Sequence, residues 1–356
     1  MSIIVKKVIA IDLGNGFVKA ICDGKTLILP NFFARKEDFV LADTKELDKE
    51  LDLDVYVSGD FPEEEYVWGP DIYLAENPLT TYTAQDRYVK KNYKLLFQIL
   101  MGRLVKDSGA SKVEVVLVTG VPSSEKGTKL EEQLAFLLDN SFEITVNGKT
   151  IIIKIVHKEI AAQPMGTFFS EVLGENGTYK NKELLTNEKE YTGIIDIGTG
   201  SSDADGVKRG KAQQEARKTV RKGMSNVYTK VMNYIQAEYP TLSLTTELVE
   251  KAIREGDGID YPINSRKKIR IKEVFDKACR ELAEDVIAEI NKAWTDRTQF
   301  SVIFLTGGGA KHLYEFFKED FGEQLELVED PQIANVLGFY RFGLLKKRQL
   351  DKLDNK

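Results

Sequence analysis

Two stretches far apart in the chain carry nearly the same message. Ile11-Asp12-Leu13-Gly14-Asn15-Gly16 and Ile195-Asp196-Ile197-Gly198-Thr199-Gly200 match almost position for position. Each follows a short apolar, β-branched run of the kind that forms a buried strand. Each then places an aspartate one spacer before a glycine turn. In the first copy, Asn15-Gly16 predicts a tight hairpin turn with positive φ at both residues, and Phe17 to Ile21 is the returning strand. In the second copy, Ser201 and Ser202 add small hydroxyls after the turn. Glycines without side-chain bulk let backbone N–H groups approach an anion. Asp12 and Asp196 stand where a carboxylate could hold a metal ion through water, and Lys19 returns beside the first turn, where it would neutralise phosphate charge. One such hairpin also reads as an ordinary turn with an acid at its tip. Two in one chain imply a duplicated α/β domain with a phosphate chain clamped between the copies.

Further strand ends carry glycine or proline. Val113 to Gly120 reads as a buried-sheet strand closed by Val121-Pro122-Ser123. Phe142–Val146 and the strand from Lys149 flank Asn147-Gly148, a second Asn-Gly hairpin. Pro164 suits the first turn of a helix, which puts Gln163 at a helix N-terminus. Glu159 lies one turn earlier if that helix extends back. Val302 to Thr306 is a strand running into Gly307-Gly308-Gly309 and then Ala310, and three glycines exceed what a tight turn needs. A ligand at the N-terminus of the following helix is the sharper reading. Amphipathic spacing predicts helices over Tyr88–Val105, Leu130–Leu138, Ser225–Ala237, Thr241–Arg254 and Ile271–Trp294, and Asp330 to Gly338 opens another.

Charge narrows the partners. The net charge of −6 argues against a broad nucleic-acid-binding face. Cys22 and Cys279 are far apart and lack metal-ligand spacing; the isolated His157 and His312 read as structural. No apolar run approaches a membrane helix and no signal-peptide core opens the sequence, so a cytoplasmic protein is expected. Acidic runs at Asp48–Asp54 and Glu63–Glu65 and a basic run at Arg266–Arg270 read as solvated faces or as partner surfaces.

Taken in order, Asp12 to Lys19, Gln163 to Thr167, Asp196 to Asp203, Thr306 to Ala310 and Asn335 to Gly338 resemble the first phosphate loop, first connecting helix, second phosphate loop, adenosine loop and second connecting helix of the actin-like ATPase superfamily. Within it, Asp12-Leu13-Gly14-Asn15-Gly16-Phe17-Val18-Lys19, Val118-Thr119-Gly120-Val121-Pro122-Ser123, Ala162-Gln163-Pro164-Met165-Gly166-Thr167 and Thr306-Gly307-Gly308-Gly309-Ala310 look like the ParM-type plasmid-segregation actins of Gram-positive plasmids.

The resemblance implies an actin/Hsp70-like α/β fold, two similar domains around a nucleotide cleft, each with an inserted subdomain. The expected boundaries are 1–34, 84–165 and 331–356 for the first core, 35–83 for its insertion, 166–222 and 270–330 for the second core, and 223–269 for its insertion. It implies ATP or GTP with Mg²⁺ as ligands. Gly14, Asn15, Gly16, Lys19, Gly198, Thr199, Gly200, Ser201, Gly223, Gly307, Gly308, Gly309 and Ala310 would contact the nucleotide, Asp12 and Asp196 would hold Mg²⁺ through water, and Gln163 would orient the attacking water. It further implies a head-to-tail, multi-stranded filament and a ParR-type DNA-binding adaptor on a plasmid centromere, in a bacterial cytoplasm, with no direct nucleic-acid or membrane contact. A sugar or acetate kinase of the same superfamily would need a base for its second substrate, and no acid is placed for one. A peptide-binding chaperone would need a further domain. A cell-shape or division actin would need a membrane anchor.

Overall fold

The computed structural model describes residues 4–38, 51–81, 86–139, 141–256 and 258–354. The chain divides into two compact units, Met1–Lys180 with Val336–Lys356, and Asn181–Asn335.

The first unit is built on strands β1 (Ile4–Leu13), β2 (Phe17–Cys22), β3 (Lys25–Pro30), β4 (Phe32–Arg35), β5 (Asp54–Ser58), β6 (Phe61–Trp68) and β7 (Leu79–Thr80), then helix α1 (Lys91–Val105), β8 (Lys112–Val121), α2 (Lys129–Leu137), β9 (Phe142–Val146), β10 (Lys149–Ala162) and α3 (Gln163–Val172). Its ten strands form one mixed sheet in the order β3-β2-β1-β8-β10-β9-β5-β6-β4-β7. β1, β8 and β10 are parallel neighbours. Their unbroken apolar runs follow from burial on both faces: Ile9, Ala10, Val113 and Val115 to Val118 are fully buried. α1 is buried more widely than one stripe, with Tyr93, Phe97 and Met101 joining Leu95, Leu96, Ile99 and Leu100. A Cβ at its Gly102 would stand 3.0 Å from the side chains of Ile144 and Val146, so glycine sets how closely the helix lies on the sheet.

The segment expected as a separate insertion supplies strands that continue the core sheet. β5 pairs with β9, and Asn147 fastens the join: its N–H donates to Val55 O at 2.9 Å and its Oδ1 accepts from Val55 N at 2.9 Å. Several acids of this segment are paired within the unit. Glu64 meets Arg35 and Lys91, Glu65 meets Lys36, and Asp54 is held by Arg103 at 2.6 Å and Lys106 at 2.7 Å. At these positions, among the described residues, acid and base alternate across the surface. Asp48 to Glu50 lie outside the described residues.

The second unit runs α4 (Glu183–Thr186), β11 (Tyr191–Ile197), β12 (Ser202–Lys208), β13 (Lys211–Val220), α5 (Met224–Glu238), α6 (Thr246–Glu255), β14 (Asp260–Asn264), β15 (Lys267–Arg270), α7 (Lys272–Ala293), β16 (Phe300–Thr306), α8 (Ala310–Phe321) and β17 (Leu325–Leu327). Helix α9 (Ala334–Asp354) begins here and has the rest of its length in the first unit. The sheet order β13-β12-β11-β16-β17 repeats the arrangement of β3-β2-β1-β8-β10, three antiparallel neighbours followed by two parallel ones. The duplication thus extends from two short loops to five strands of each unit's sheet. α6 starts at Thr246, five residues after the expected Thr241, because the Thr245 hydroxyl caps it by accepting from Leu248 N. The basic run Arg266–Arg270 makes the turn and second strand of the exposed β14–β15 hairpin.

Cys22 and Cys279 are free and buried. Among the described residues no helix is long and apolar enough to cross a membrane.

One buried acid gives the second unit a pH dependence. Burial pushes the Glu250 carboxyl up to about 7, and the nearby acids Glu255 and Glu247 add to this against the opposing Arg254 guanidinium. A raised carboxyl favours folding fully below the unfolded value and loses that contribution as pH rises through 7. Glu250→Gln should therefore stabilise the protein at pH 8, by on the order of 2 kcal/mol, and leave stability unchanged at pH 4. Urea unfolding at the two pH values checks this; an equal change at both would rule it out.

Candidate functional site

The first loop hangs between β1 and β2. Pairing stops at Leu13↔Val18, so Gly14 to Phe17 form a four-residue connection. The expected two-residue turn is not what closes this hairpin, and neither Asn15 nor Gly16 has positive φ. The longer loop relieves both residues of the left-handed conformation. Asn147-Gly148, where Val146 pairs directly with Lys149, does have it, at φ 48° and 80°.

The loop's carbonyls turn inward. Gly16 O accepts from Asn31 N at 3.1 Å, and Gly14 O accepts from Asn31 Nδ2. Asp12 stands opposite Lys19 across the hairpin and is almost fully buried. Its Oδ1 accepts from Gln163 Nε2 at 3.0 Å, and Lys19 Nζ lies 3.4 Å from Oδ2. Gln163 is the first residue of α3, after the extended Ala162, with Pro164 next as the sequence predicts. Its stem packs beside Gly120, where a Cβ would stand 3.2 Å from Gln163 Cγ and 2.6 Å from Phe339 Cζ. The helix does not extend back to Glu159. That residue is in β10, paired to Lys346 at 2.7 Å and to His157 at 3.2 Å.

The second loop repeats this geometry in its own unit. Pairing stops at Ile197↔Ser202, leaving Gly198 to Ser201. Gly198 O accepts from Met224 N at 3.0 Å, Thr199 O from Ser225 N at 2.8 Å, and Ser201 O from Gly198 N at 2.9 Å. Gly223, rather than Ser225, occupies the cap of α5, and a Cβ there would stand 2.6 Å from both Gly198 O and Thr199 O. Asp196 Oδ2 accepts from Asn335 Nδ2 at 2.6 Å. A carboxamide at the start of a helix thus braces each loop aspartate: Gln163 for Asp12 and Asn335 for Asp196.

The loops differ in charge. Lys19 faces Asp12, whereas the equivalent pair in the second loop is Asp196↔Asp203. Burial, with the charges of Asp196 and Asp205, pushes the Asp203 carboxyl up to about 7 despite the Thr219 hydroxyl 2.5 Å away.

Two of the three consecutive glycines have structural reasons. A Cβ at Gly307, whose φ is +92°, would stand 2.3 Å from Asp196 Oδ1; one at Gly309 would stand 2.5 Å from Ile197 Cγ2. Gly308 alone is exposed, with nothing within 4 Å of a Cβ. Ala310 is fully buried, so its side chain is unavailable to a ligand. Of the residues singled out in the sequence, Asp12, Lys19, Gln163 and Gly14 to Gly16 come together in the first unit. Asp196, Gly198 to Ser201, Gly223 and Gly307 to Gly309 come together in the second. Asn31 and Asn335 join them without having been singled out for contacts of their own.

These arrangements suit phosphate and Mg²⁺. Carbonyl oxygens repel phosphate, and Gly14 and Gly16 in the first loop and Gly198 and Thr199 in the second have theirs bound to donors of their own unit. Among the described residues no group of three His, Cys, Asp or Glu side chains could cage a metal. A hard cation such as Mg²⁺ keeps most of its water and takes one or two carboxylates plus phosphate oxygens.

Residues 10–166 match the family model described as the N-terminal domain of actin-like proteins, and residues 194–319 match that of the archaeal actin homologue MreB-like C-terminal domain. No curated protein matches the chain. The apo pSK41 ParM crystal structure is similar at 25% identity and a TM-score of 0.76, covering 97% of this chain and 99% of that one. A 15-stranded ParM filament from Clostridium botulinum is similar at 23% identity and 0.75, covering 95% and 99%. The archaeal actin homologue Ta0583 in complex with ADP is similar at 18% identity and 0.72, covering 95% and 99%.

Proposed function

From the chain's membership in the actin-like protein family, we propose that it is a filament-forming nucleoside triphosphatase that moves plasmid DNA through a separate DNA-binding adaptor of the ParR type. The observation that carries this reading is the pair of loops, each with carbonyls directed inward and an aspartate braced by a helix-start carboxamide. Each loop takes up phosphate oxygens of ATP or GTP, with Lys19 adding a positive charge at the first. When bound, Mg²⁺ supplies charge neutralisation to the phosphates. Asp12 in the first unit and Asp196 in the second are the carboxylates that would hold it through water. The Gln163 carboxamide, fixed by its donation to Asp12, presents its oxygen to the attacking water. Positioning and charge stabilisation supply the catalysis of such a reaction, and no covalent nucleophile is required. Gly308 lies open beside the start of α8, where the nucleoside packs.

Head-to-tail addition of copies through a heterologous contact that does not close gives an open filament, multi-stranded as in the ParM relative. The acidic net charge supports a DNA contact made by the adaptor rather than by this chain, and the setting of this reading is a bacterial cytoplasm. With ATP or GTP and Mg²⁺ the purified protein should scatter light above a critical concentration, and the signal should fall as nucleotide is spent. The reading fails if sedimentation finds only small species at every concentration while a sugar or acyl acceptor accelerates turnover.

A further inference from the structure

The two loops direct their carbonyls inward by different means. In the second, backbone N–H groups at the start of α5 accept the task, and no side chain is needed. In the first, a single residue binds two of the loop's carbonyls. Asn31, at the junction of β3 and β4, binds Gly16 O through its backbone and Gly14 O through its carboxamide. It is 5% exposed. A carbonyl only accepts, so Asn31 must present Nδ2 to Gly14 and its Oδ1 faces away. That Oδ1 receives the hydroxyl of Thr81, also buried, at 2.5 Å. The chain of donors therefore has one direction: Thr81 hydroxyl to Asn31, Asn31 amide to Gly14. Each bond polarises the next in a site closed to water. The neighbouring Pro30 carbonyl is fixed by the buried Trp68 indole N–H at 3.0 Å, and Phe32 pairs with Thr80. Asn31 is thus held on both sides in the orientation that binds the loop.

We propose that Asn31 is the positioning residue of the first phosphate loop, with Thr81 fixing its carboxamide, so that the orientation of the Gly14 carbonyl depends on a side chain, whereas the second loop's carbonyls are held by backbone. The inference rests on the reading of Gly14–Phe17 as a phosphate-binding loop. Asn31→Asp puts an acceptor against the Gly14 carbonyl and should turn that carbonyl outward. Thr81→Val keeps the shape and removes the donor, and Thr81→Ser restores it.

The test is titration of the full chain, with Mg²⁺, against ATP or GTP (whichever the wild type binds more tightly), its diphosphate and its nucleoside. Lys19→Ala serves as the control for the loop, and thermal melts of every variant run alongside. Asn31→Asp should weaken triphosphate binding at least tenfold and Thr81→Val about three- to tenfold, with nucleoside affinity unchanged and Thr81→Ser within twofold of wild type. A purely structural role would lower the melting temperature without changing the ratio of triphosphate to nucleoside affinity, and that result overturns the proposal. If Asn31→Asp does not fold, the Thr81→Val and Thr81→Ser pair decides it by the same ratio. If Lys19→Ala weakens binding while both Thr81 variants and a folded Asn31→Asp bind as wild type, Asn31 is not the positioning residue and the loop reading stands. If wild type binds no nucleotide, or Lys19→Ala has no effect, the loop reading itself falls and this proposal with it.

Discussion

Asp12→Ala and Asp196→Ala should each reduce nucleotide hydrolysis by at least roughly a hundredfold, the scale on which removing one preorganised polar group acts in a transition state. The effect follows from what each carboxylate organises. Asp12 is almost fully buried and gathers the Gln163 amide and the Lys19 ammonium around its two oxygens. Its loss frees both groups and, in the proposed function, removes a carboxylate that would hold the metal through water. Asp196 is braced by Asn335, and the Gly307 backbone approaches so closely that a Cβ would stand 2.3 Å from it. Gln163→Ala separates water positioning from metal holding. It leaves both aspartates in place, so it should bind nucleotide, slow turnover by on the order of 10²-fold and prolong filament lifetime. Phosphate release at saturating nucleotide, with binding measured alongside, checks all three. Wild-type turnover by either aspartate variant would remove the two-loop model. A slow Glu159→Ala with a normal Gln163→Ala would reassign the water-positioning role, although Glu159 already pairs with Lys346.

The second large effect is on stability. Gly338 lies inside α9, where helix propensity alone says that alanine should gain about 1 kcal/mol. The packing says the reverse. A Cβ at Gly338 would stand 1.7 Å from Gly166 O and 2.6 Å from Ser170 N, both backbone atoms of α3. Side chains can rotate away from an intruding methyl; a helix backbone has to move as a body. Arg341 resists that movement, since its Nη1 donates to Ser170 O at 2.6 Å and to Leu173 O at 3.0 Å at the end of the same helix. Gly338→Ala should therefore destabilise the first unit by about 3 kcal/mol or more, the upper end of overpacking costs. For a unit of this size that lowers the melting temperature by roughly 6 °C or more. Gly343→Ala is the contrast: its nearest obstacle is a side-chain methyl, Val8 Cγ1 at 2.7 Å, and a smaller loss is expected. Calorimetry of the two variants decides the matter, and a Gly338→Ala protein as stable as wild type would show that the helices separate without cost.

The sequence by itself determined what is local. Buried strands at β1, β8, β11 and β16 are written in apolar β-branched runs, the start of α3 in Pro164, and the Asn147-Gly148 hairpin in a dipeptide that accepts positive φ. The duplicated aspartate–glycine loops were legible because each copy is contained within a dozen residues of sequence. Tertiary structure decided the rest, because it concerns groups brought together by register and strand order, which local preference does not encode. Pairing that stops at Leu13↔Val18 made a four-residue loop of what Asn15-Gly16 alone would close in two. The approach of Gly307 and Gly309 to Asp196 and Ile197 explains glycines that in sequence suggested only a ligand. The acids at 54 and 64–65 met their bases only when β5 and β6 lay across α1 and β4. Asn335 reaches Asp196 across 139 residues and Asn31 reaches Gly14 across 17, and nothing in either stretch of sequence marks an asparagine as the brace of a distant loop.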